Sequence, residues 1–471
     1  MTLKQSEFNH FTPAYTDGTI LGFNAYTGVF FTLEEEEFVH CAALIEAVEQ
    51  GITDRAELAK DEYGERLLEA GFLINSSVDE RQGIQDRYHV NRESFKGLSL
   101  TIAPTASCNF ACSYCFQEHP KRFMSADDIE RVCAHVDQHL PDDQVLGVTW
   151  FGGEPLAAFP VLQKLTKRLT KLCEARNANF RQSMITNGSL LNERIIDFIA
   201  DQGNYDFLQI TLDGPAEIHD TRRVTSAGKG TFDKIIKNLV KAKGRLPITI
   251  RVNIDRSNAE HVPDLIEKIG EVGLGHSVSI YFGHILPYTD ACGAETSSNA
   301  FSVEEFSRIE AQLQFLMIQH GIRPGVDLPT PGYGSLCVAD NKKGSVFAPG
   351  GLVFNCWNEA ALTDSGASGN LKADGSIEVE PHHQKLHEEW QQYDAFAHKE
   401  CASCKVQPLC RGGCPWESRK KPVEGVGHCT PLKYNLSEQL RLYHLASSID
   451  KHRLVGVKRP NNTLEAGSVV L

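Results

Sequence analysis

The chain has 471 residues, 41% hydrophobic and 23% charged, with a formal net charge of −14. This is a globular composition, long enough for roughly three domains, and its acidity argues against a nucleic-acid backbone or an anionic membrane as main partner. No apolar run approaches the ~18 residues of a membrane span and Met1–His10 lacks an apolar signal segment, so a cytoplasmic location is expected, where thiols stay reduced.

Residues 1–95 read as a small separate domain. Ile20–Asn24 and Val29–Leu33 have strand character and are joined by the turn Tyr26-Thr27-Gly28. Helical periodicity follows from Glu35 to Gln50, then over Asp54–Lys60 and Tyr63–Ala70, before the apolar Phe72-Leu73-Ile74. That order predicts a winged-helix-like shape, with the charged run Asp79–Arg87 as linker.

From 96 to about 300 strand and helix signals alternate. Strands are predicted at Leu98–Ala103, Val145–Phe151, Gln182–Thr186, Phe207–Leu212, Ile248–Ile254 and Ser277–Phe282. Their apolar, β-branched character suits buried parallel strands. Amphipathic helices are predicted at Ala126–Leu140, Val161–Ala175, Glu193–Ala200, Phe232–Lys243 and Val262–Val272. Six β/α units predict an α/β protein with a partial, open (β/α)6 TIM-like barrel, whose reactive residues sit at the C-terminal strand ends. Residues 301–336 read as a helical linker, 337–440 as a cysteine-rich domain, and 441–471 as a C-terminal tail. The segment 337–429 shows little periodicity and is expected to depend on metal ligation for its fold; a helix is predicted at Leu436–Ala446.

Fourteen cysteines in a reducing compartment require an explanation. Cys108, Cys112 and Cys115 form a CX3CX2C pattern directly after the first barrel strand. Cys401, Cys404, Cys410 and Cys414 form CX2CX5CX3C, with Cys337 and Cys356 before and Cys429 after. Loops this short let thiolates converge on one inorganic core; an iron–sulfur cluster, a zinc site and buried free thiols are all compatible with the front spacing alone. Cys41, Cys133 and Cys173 fall on apolar helix faces and read as buried small hydrophobes.

Taken together, these motifs resemble those of the radical S-adenosylmethionine (SAM) enzymes that carry a SPASM auxiliary-cluster domain. The resemblance implies that Cys108, Cys112 and Cys115 bind a [4Fe–4S] cluster whose open iron is chelated by SAM, with Tyr114 packing near the adenine. Gly152-Gly153-Glu154 resembles the family turn that holds the SAM amino group, with Glu154 accepting the ammonium. Thr186-Asn187-Gly188 resembles a second family turn. Thr211-Leu212-Asp213-Gly214 with His219, Arg222 and Arg223 resembles the stretch that meets the ribose and carboxylate; Asn253 and Tyr281–Gly283 would lie near ribose and adenine. The rear pattern, with Gly351 between Cys337 and Cys356, resembles the seven-cysteine SPASM signature. It implies two auxiliary [4Fe–4S] clusters, one on Cys401, Cys404, Cys410 and Cys429, the other on Cys337, Cys356 and Cys414. The fourth ligand of the latter is open; Cys292 is a remote candidate.

The resemblance implies a peptide-modifying oxidoreductase that needs flavodoxin or ferredoxin as reductant. The first domain is similar to the recognition elements that bind a leader peptide as an added strand, against the alternative of a cap with no peptide role. A precursor-peptide maturase installing a C–C or ether cross-link, as in antibiotic biosynthesis, is the favoured expectation. The alternatives are thioether formation or epimerisation, or an anaerobic sulfatase maturase making formylglycine. The last is expected to have Asp as base after the second SPASM cysteine, where this chain has Trp357. Asp340 and Glu359 are the only weak base candidates, and a cluster protein serving as an electron wire is the non-enzymatic alternative.

Overall fold

The computed structural model describes residues 2–94, 96–286, 293–322, 326–332, 337–359, 363–421 and 428–453; Cys292 lies outside them. The chain divides into two compact units, one of 1–92, 326–336 and 394–471, the other of 93–325 and 337–393.

In the first unit, strands β1 (Leu3–Gln5), β2 (Asn9–Phe11), β3 (Ile20–Asn24) and β4 (Phe30–Leu33) precede three helices, Glu35–Glu49, Arg55–Leu58 and Glu62–Glu69, and strand β5 (Leu73–Asn75). β2, β3 and β4 form an antiparallel sheet with β4 at one edge, while β1 pairs with β5. Asp54 and Asp61 start the second and third helices by accepting orphan backbone N–H groups, Asp61 from Tyr63 at 2.9 Å and Gly64 at 3.0 Å. Ile20, Leu33, Cys41, Ile45, Leu67 and Phe72 share one core.

The predicted linker Asp79–Arg87 is instead part of a helix, Glu80–Ser94. Its charges obscured a buried face: Ile84 and Tyr88, four residues apart, are both inside. Buried Glu80 accepts from Ser6 Oγ at 2.7 Å, and Tyr88 packs edge-on against Phe396 with ring centroids 4.9 Å apart.

In the second unit, β6 (Gly97–Ile102), β7 (Val145–Trp150), β8 (Asn179–Thr186), β9 (Tyr205–Thr211), β10 (Ile248–Ile254) and β11 (Val278–His284) are parallel and adjacent in that order. β6 and β11 do not pair, so the barrel stays open. The helices between strands bury one face on this sheet; Leu162, Leu165 and Leu169 of helix Phe159–Ala175 are fully inside. Four further strands, β12 (Gly344–Phe347), β13 (Leu352–Phe354), β14 (Gly369–Leu371) and β15 (Ile377–Glu378), extend the sheet beyond β6. β12 is parallel to β6 and the rest are antiparallel.

This stretch bears on the expectation that 337–429 depends on metal ligation for its fold. Val346, Ala348, Leu352 and Phe354 form their own cluster with Ala103 and Ala106, so burial and sheet pairing carry its first half. Cys41, Cys133 and Cys173 are buried in helices, as predicted. No helix among the described residues is long and apolar enough to cross a membrane.

Candidate active site

The three front cysteines meet in a cavity of about 360 Å³ at the C-terminal ends of the parallel strands. Cys108, Cys112, Tyr114 and Cys115 come from the loop after β6, Gly152 and Gly153 from the loop after β7, and Thr186 and Asn187 from the end of β8. Thr211 of β9, Asn253 of β10, His284 of β11, Arg223 and Trp357 complete much of the wall.

The two glycines let the loop after β7 lie against the cysteine loop. A Cβ on Gly152 would come within 2.3 Å of the Thr105 carbonyl, and one on Gly153 within 2.3 Å of that of Ser107. Gly153 N–H donates to Thr105 O at 3.1 Å and Glu154 N–H to Ser107 O at 2.9 Å. Glu154 itself is 1% exposed, and its carboxylate accepts from Thr186 Oγ1 at 2.6 Å, Asn187 N–H at 2.7 Å and Leu156 N–H at 3.0 Å. Burial pushes its pKa up, opposed by those donors. Glu154 therefore stands behind the wall with its carboxyl group fixed by these three donors.

A second network runs through Asp213, which is fully buried. Its carboxylate accepts from the Tyr114 hydroxyl and from Asn253 N–H at 3.0 Å. Tyr114 Oη accepts from Arg223 Nη1 at 2.7 Å and Asn253 Nδ2 at 3.2 Å. Burial pushes the Tyr114 pKa well up despite Arg223, and Asp213 adds to the rise. His219 is fully buried and accepts the Asp213 N–H on Nδ1 at 3.2 Å; burial lowers its pKa to about 3.

The paired arginines have different surroundings. Arg223 lines the cavity, whereas Arg222 is buried against Asp255, with Nη1 at 3.0 and 3.1 Å from the two carboxylate oxygens. Sequence patterns gave no signal for Asp255. They also missed Asn109, which links the turns: its Oδ1 accepts from Asn187 Nδ2 at 2.9 Å, and its Nδ2 donates to Ser189 Oγ at 2.9 Å. Polar residues in turns are too common to single out without the fold.

The thiols fit a cluster rather than a lone role as packing groups. Burial, with Glu154 and the other two thiols adding, pushes Cys108 up to about 12, and burial raises Cys112 although the Arg223 guanidinium opposes it. Buried thiols of this kind ionise readily only against a cationic core. Among the described lining residues no fourth cysteine is present; His119 Nε2 lies 3.3 Å from Cys115 Sγ. Three sulfur donors and a cavity beside them suit a cubane with one iron open to a small ligand.

In the first unit, Cys401, Cys404, Cys410 and Cys429 line a second, small cavity of about 20 Å³. Burial, with the three other thiols adding, pushes Cys410 up to about 11. Gly413 carries the chain past His428 so closely that a Cβ would sit 1.6 Å from the His428 carbonyl. Four thiols around one space fit a fully protein-held [4Fe–4S] cluster. Cys414 starts the turn Pro415–Ser418 in that same unit. In the other unit, Cys337 starts the turn Val338–Asp340 and Cys356 follows β13. Asp340 is buried in its turn and Glu359 accepts from Trp390 Nε1 at 2.8 Å; neither is among the residues lining the front cavity.

Residues 102–269 match the Radical SAM superfamily profile. A serine-type anaerobic sulfatase-maturating enzyme of Bacteroides thetaiotaomicron is 31% identical over 166 residues, 32% of this chain and 38% of that protein. The sporulation killing factor maturation protein SkfB of Bacillus subtilis is 26% identical over 247 residues, 52% of this chain and 55% of its own. The mycofactocin maturase MftC of Mycolicibacterium smegmatis is 26% identical over 332 residues, 67% and 78%. The chain thus spans about half the length of the first two relatives. The structure of native anSMEcpe with bound AdoMet and Cp18Cys peptide shares the fold, with a TM-score of 0.54 and 21% identity over 75% of this chain and 99% of that one. The three front cysteines and most of the residues lining the cavity at the strand ends fall within the stretch that matches the Radical SAM superfamily.

Proposed function

We propose that the protein is a peptide maturase that removes hydrogen from a side-chain carbon of a ribosomally made precursor peptide and closes an intramolecular C–C or ether cross-link. Bound together, cluster and SAM supply the 5′-deoxyadenosyl radical that takes that hydrogen atom. On this reading Cys108, Cys112 and Cys115 hold the cluster. Tyr114, Gly152, Gly153, Asn187, Thr211, Arg223 and Asn253 contact SAM, while Glu154, Asp213 and Arg222 act from behind them. Cys401, Cys404, Cys410 and Cys429 hold one auxiliary cluster, and Cys337 and Cys356 contribute to another.

The observation that carries the reading is Trp357 in the cavity wall, its ring 5.3 Å from that of Phe151. An indole cannot accept a proton, so the base expected of a sulfatase maturase is missing at this position. With Phe116, Phe151 and Ile185 it forms an apolar wall suited to an aromatic or aliphatic substrate side chain. Closing a cross-link releases a proton as well as the abstracted hydrogen atom and an electron, which an auxiliary cluster would accept. His284 is placed to take that proton: burial lowers its pKa, its Nε2–H donates to Phe301 O at 2.7 Å, and Nδ1 is the remaining acceptor. Asp340 and Glu359 have no such position.

The edge strand β4 supports a leader-peptide partner. Asn24 N–H bonds Val29 O at 3.0 Å, so with the β3–β4 register Phe30 and Thr32 fall on non-hydrogen-bonded pairs and direct their backbone groups to the open edge. Beside it runs a groove lined by Val29, Phe31, Leu33, Tyr63 and Leu67. An extended leader adds there as a strand and buries side chains in the groove. The names of SkfB and MftC as maturases favour a peptide product. Flavodoxin or ferredoxin supplies electrons, the setting is cytoplasmic, and neither nucleic acid nor membrane is a partner. The domain division is 1–95, 96–300, 301–336, 337–440 and 441–471.

The second reading, formylglycine formation, is favoured by the Bacteroides relative. The discriminating experiment incubates reduced, reconstituted protein and SAM with the peptide encoded beside its gene, and separately with a sulfatase peptide bearing Cys or Ser. Loss of two hydrogens with a new internal bond in the first supports cross-linking. An aldehyde formed only in the second overturns it.

A further inference from the structure

Outside the cysteine centres, one group of metal-ligating side chains converges among the described residues: Asp364, His382 and His383. Asp364 opens the turn Asp364–Gly366, and the histidines stand just before helix Gln384–Gln392, on the far side of the β14–β15 hairpin. His382 Nε2 is 3.1 Å from Asp364 Oδ2, and His383 Nε2 is 3.7 Å from Oδ1. The two imidazoles thus face the two oxygens of one carboxylate, with their ring centroids 3.8 Å apart. One ligand atom from each residue lies within 4.8 Å of the others. Ligands about 2.1 Å from a tetrahedral zinc are roughly 3.4 Å apart, so small rotamer changes close the set.

Two features go beyond a surface ion pair. His382 presents its other nitrogen, Nδ1, to Glu380 Oε2 at 3.6 Å, and Glu380 is itself held by Asn370 Nδ2 at 3.0 Å. A carboxylate behind the non-ligating nitrogen orients a metal-bound histidine and strengthens it as a donor. His383 is 1% exposed, with Nε2 3.2 Å from the Asp364 carbonyl and no hydrogen-bond partner for Nδ1. A buried imidazole is rarely left half satisfied; Nδ1 is the unpartnered nitrogen, while Nε2 is held at the Asp364 carbonyl, 3.7 Å from the carboxylate shared with His382.

We propose that Asp364, His382 and His383 bind a divalent cation of the zinc class, with Glu380 positioning His382 and solvent completing the coordination. Two imidazoles and one carboxylate form a borderline N2O set, which selects zinc-like ions over magnesium or calcium. The ion clips the Asp364 turn to the start of helix Gln384–Gln392. That helix carries Trp390, whose indole holds Glu359 three residues after Cys356. The clip therefore steadies the segment that presents a cluster cysteine, and its role is structural.

The test uses the full chain with its clusters reconstituted anaerobically, dialysed against Zn2+ and counted for zinc and iron, beside His382→Ala and Asp364→Asn. Both altered side chains are exposed, so these variants keep the fold. The expected result is one zinc per chain, affinity reduced at least ~10-fold in each variant, and unchanged iron. A zinc-dependent rise in melting temperature is expected in the parent alone. Zinc uptake equal in parent and variants, or uptake only as iron is lost, overturns the site.

Discussion

Asn187 donates its backbone N–H to Glu154 at 2.7 Å, joining the loops that leave β7 and β8. Thr186 Oγ1 and Leu156 N–H complete the set of donors around that carboxylate. Glu154→Ala leaves three buried donors without that acceptor, at a cost of about 1–3 kcal/mol each. It also removes the carboxyl group beside the cavity. SAM affinity, measured by equilibrium dialysis on reconstituted protein, is expected to fall by about 10-fold or more, with a lowered melting temperature. Unchanged affinity contradicts the assignment.

Arg222 and Arg223 are adjacent in sequence but separable by experiment. Arg222→Ala strands the Asp255 carboxylate in a buried site and is expected to cost ~3–5 kcal/mol in denaturant unfolding. Arg223→Lys keeps a charge but loses the guanidinium geometry that donates Nη1–H to Tyr114 Oη, so it reduces SAM affinity with a smaller stability loss. Equal effects of both on unfolding would refute the distinction.

Two buried histidines set an acid limit. Burial lowers His135 to about 4, with the Gly375 carbonyl opposing, and His219 to about 3. Each is neutral in the folded chain and protonates near the ordinary imidazole value of 6.5 when unfolded. The unfolded state binds more protons between those values. Stability is thus fully present above pH 6.5 and is lost as pH falls toward 4, at about 1.4 kcal/mol per pH unit for each histidine. Denaturation curves from about pH 7.5 to about pH 5, across the histidine range, check this, and His135→Gln should flatten the slope.

The barrel was legible because each strand is an apolar run between turn residues; Ile248–Ile254 coincides with β10 and the other five lie within a few residues of their observed ends. The motif residues were legible because each follows such a strand. Helix Glu80–Ser94 was hidden by six charged side chains (Glu80, Arg81, Asp86, Arg87, Arg92 and Glu93), which mask a buried face that only packing defines. Short β1 and β2 carry too few residues for a period. Asp255 and Asn109 act through partners remote in sequence, which no local pattern encodes.

The leader-binding edge has a narrow test. Thr32→Pro removes one outward backbone N–H from β4 while the β3 pairing, made by its neighbours, remains. Binding of the precursor peptide, read by fluorescence anisotropy, is expected to weaken about 10-fold, worth ~1.4 kcal/mol, with cluster content unchanged. Undiminished binding places the leader elsewhere.

The most direct test of the whole account is electron paramagnetic resonance of the reduced, reconstituted protein with and without SAM, beside Cys112→Ala. The account predicts a cluster signal that changes on SAM addition and is missing from the variant, whose remaining signals ignore SAM. A SAM-responsive signal that survives in Cys112→Ala, or none in the parent, contradicts it.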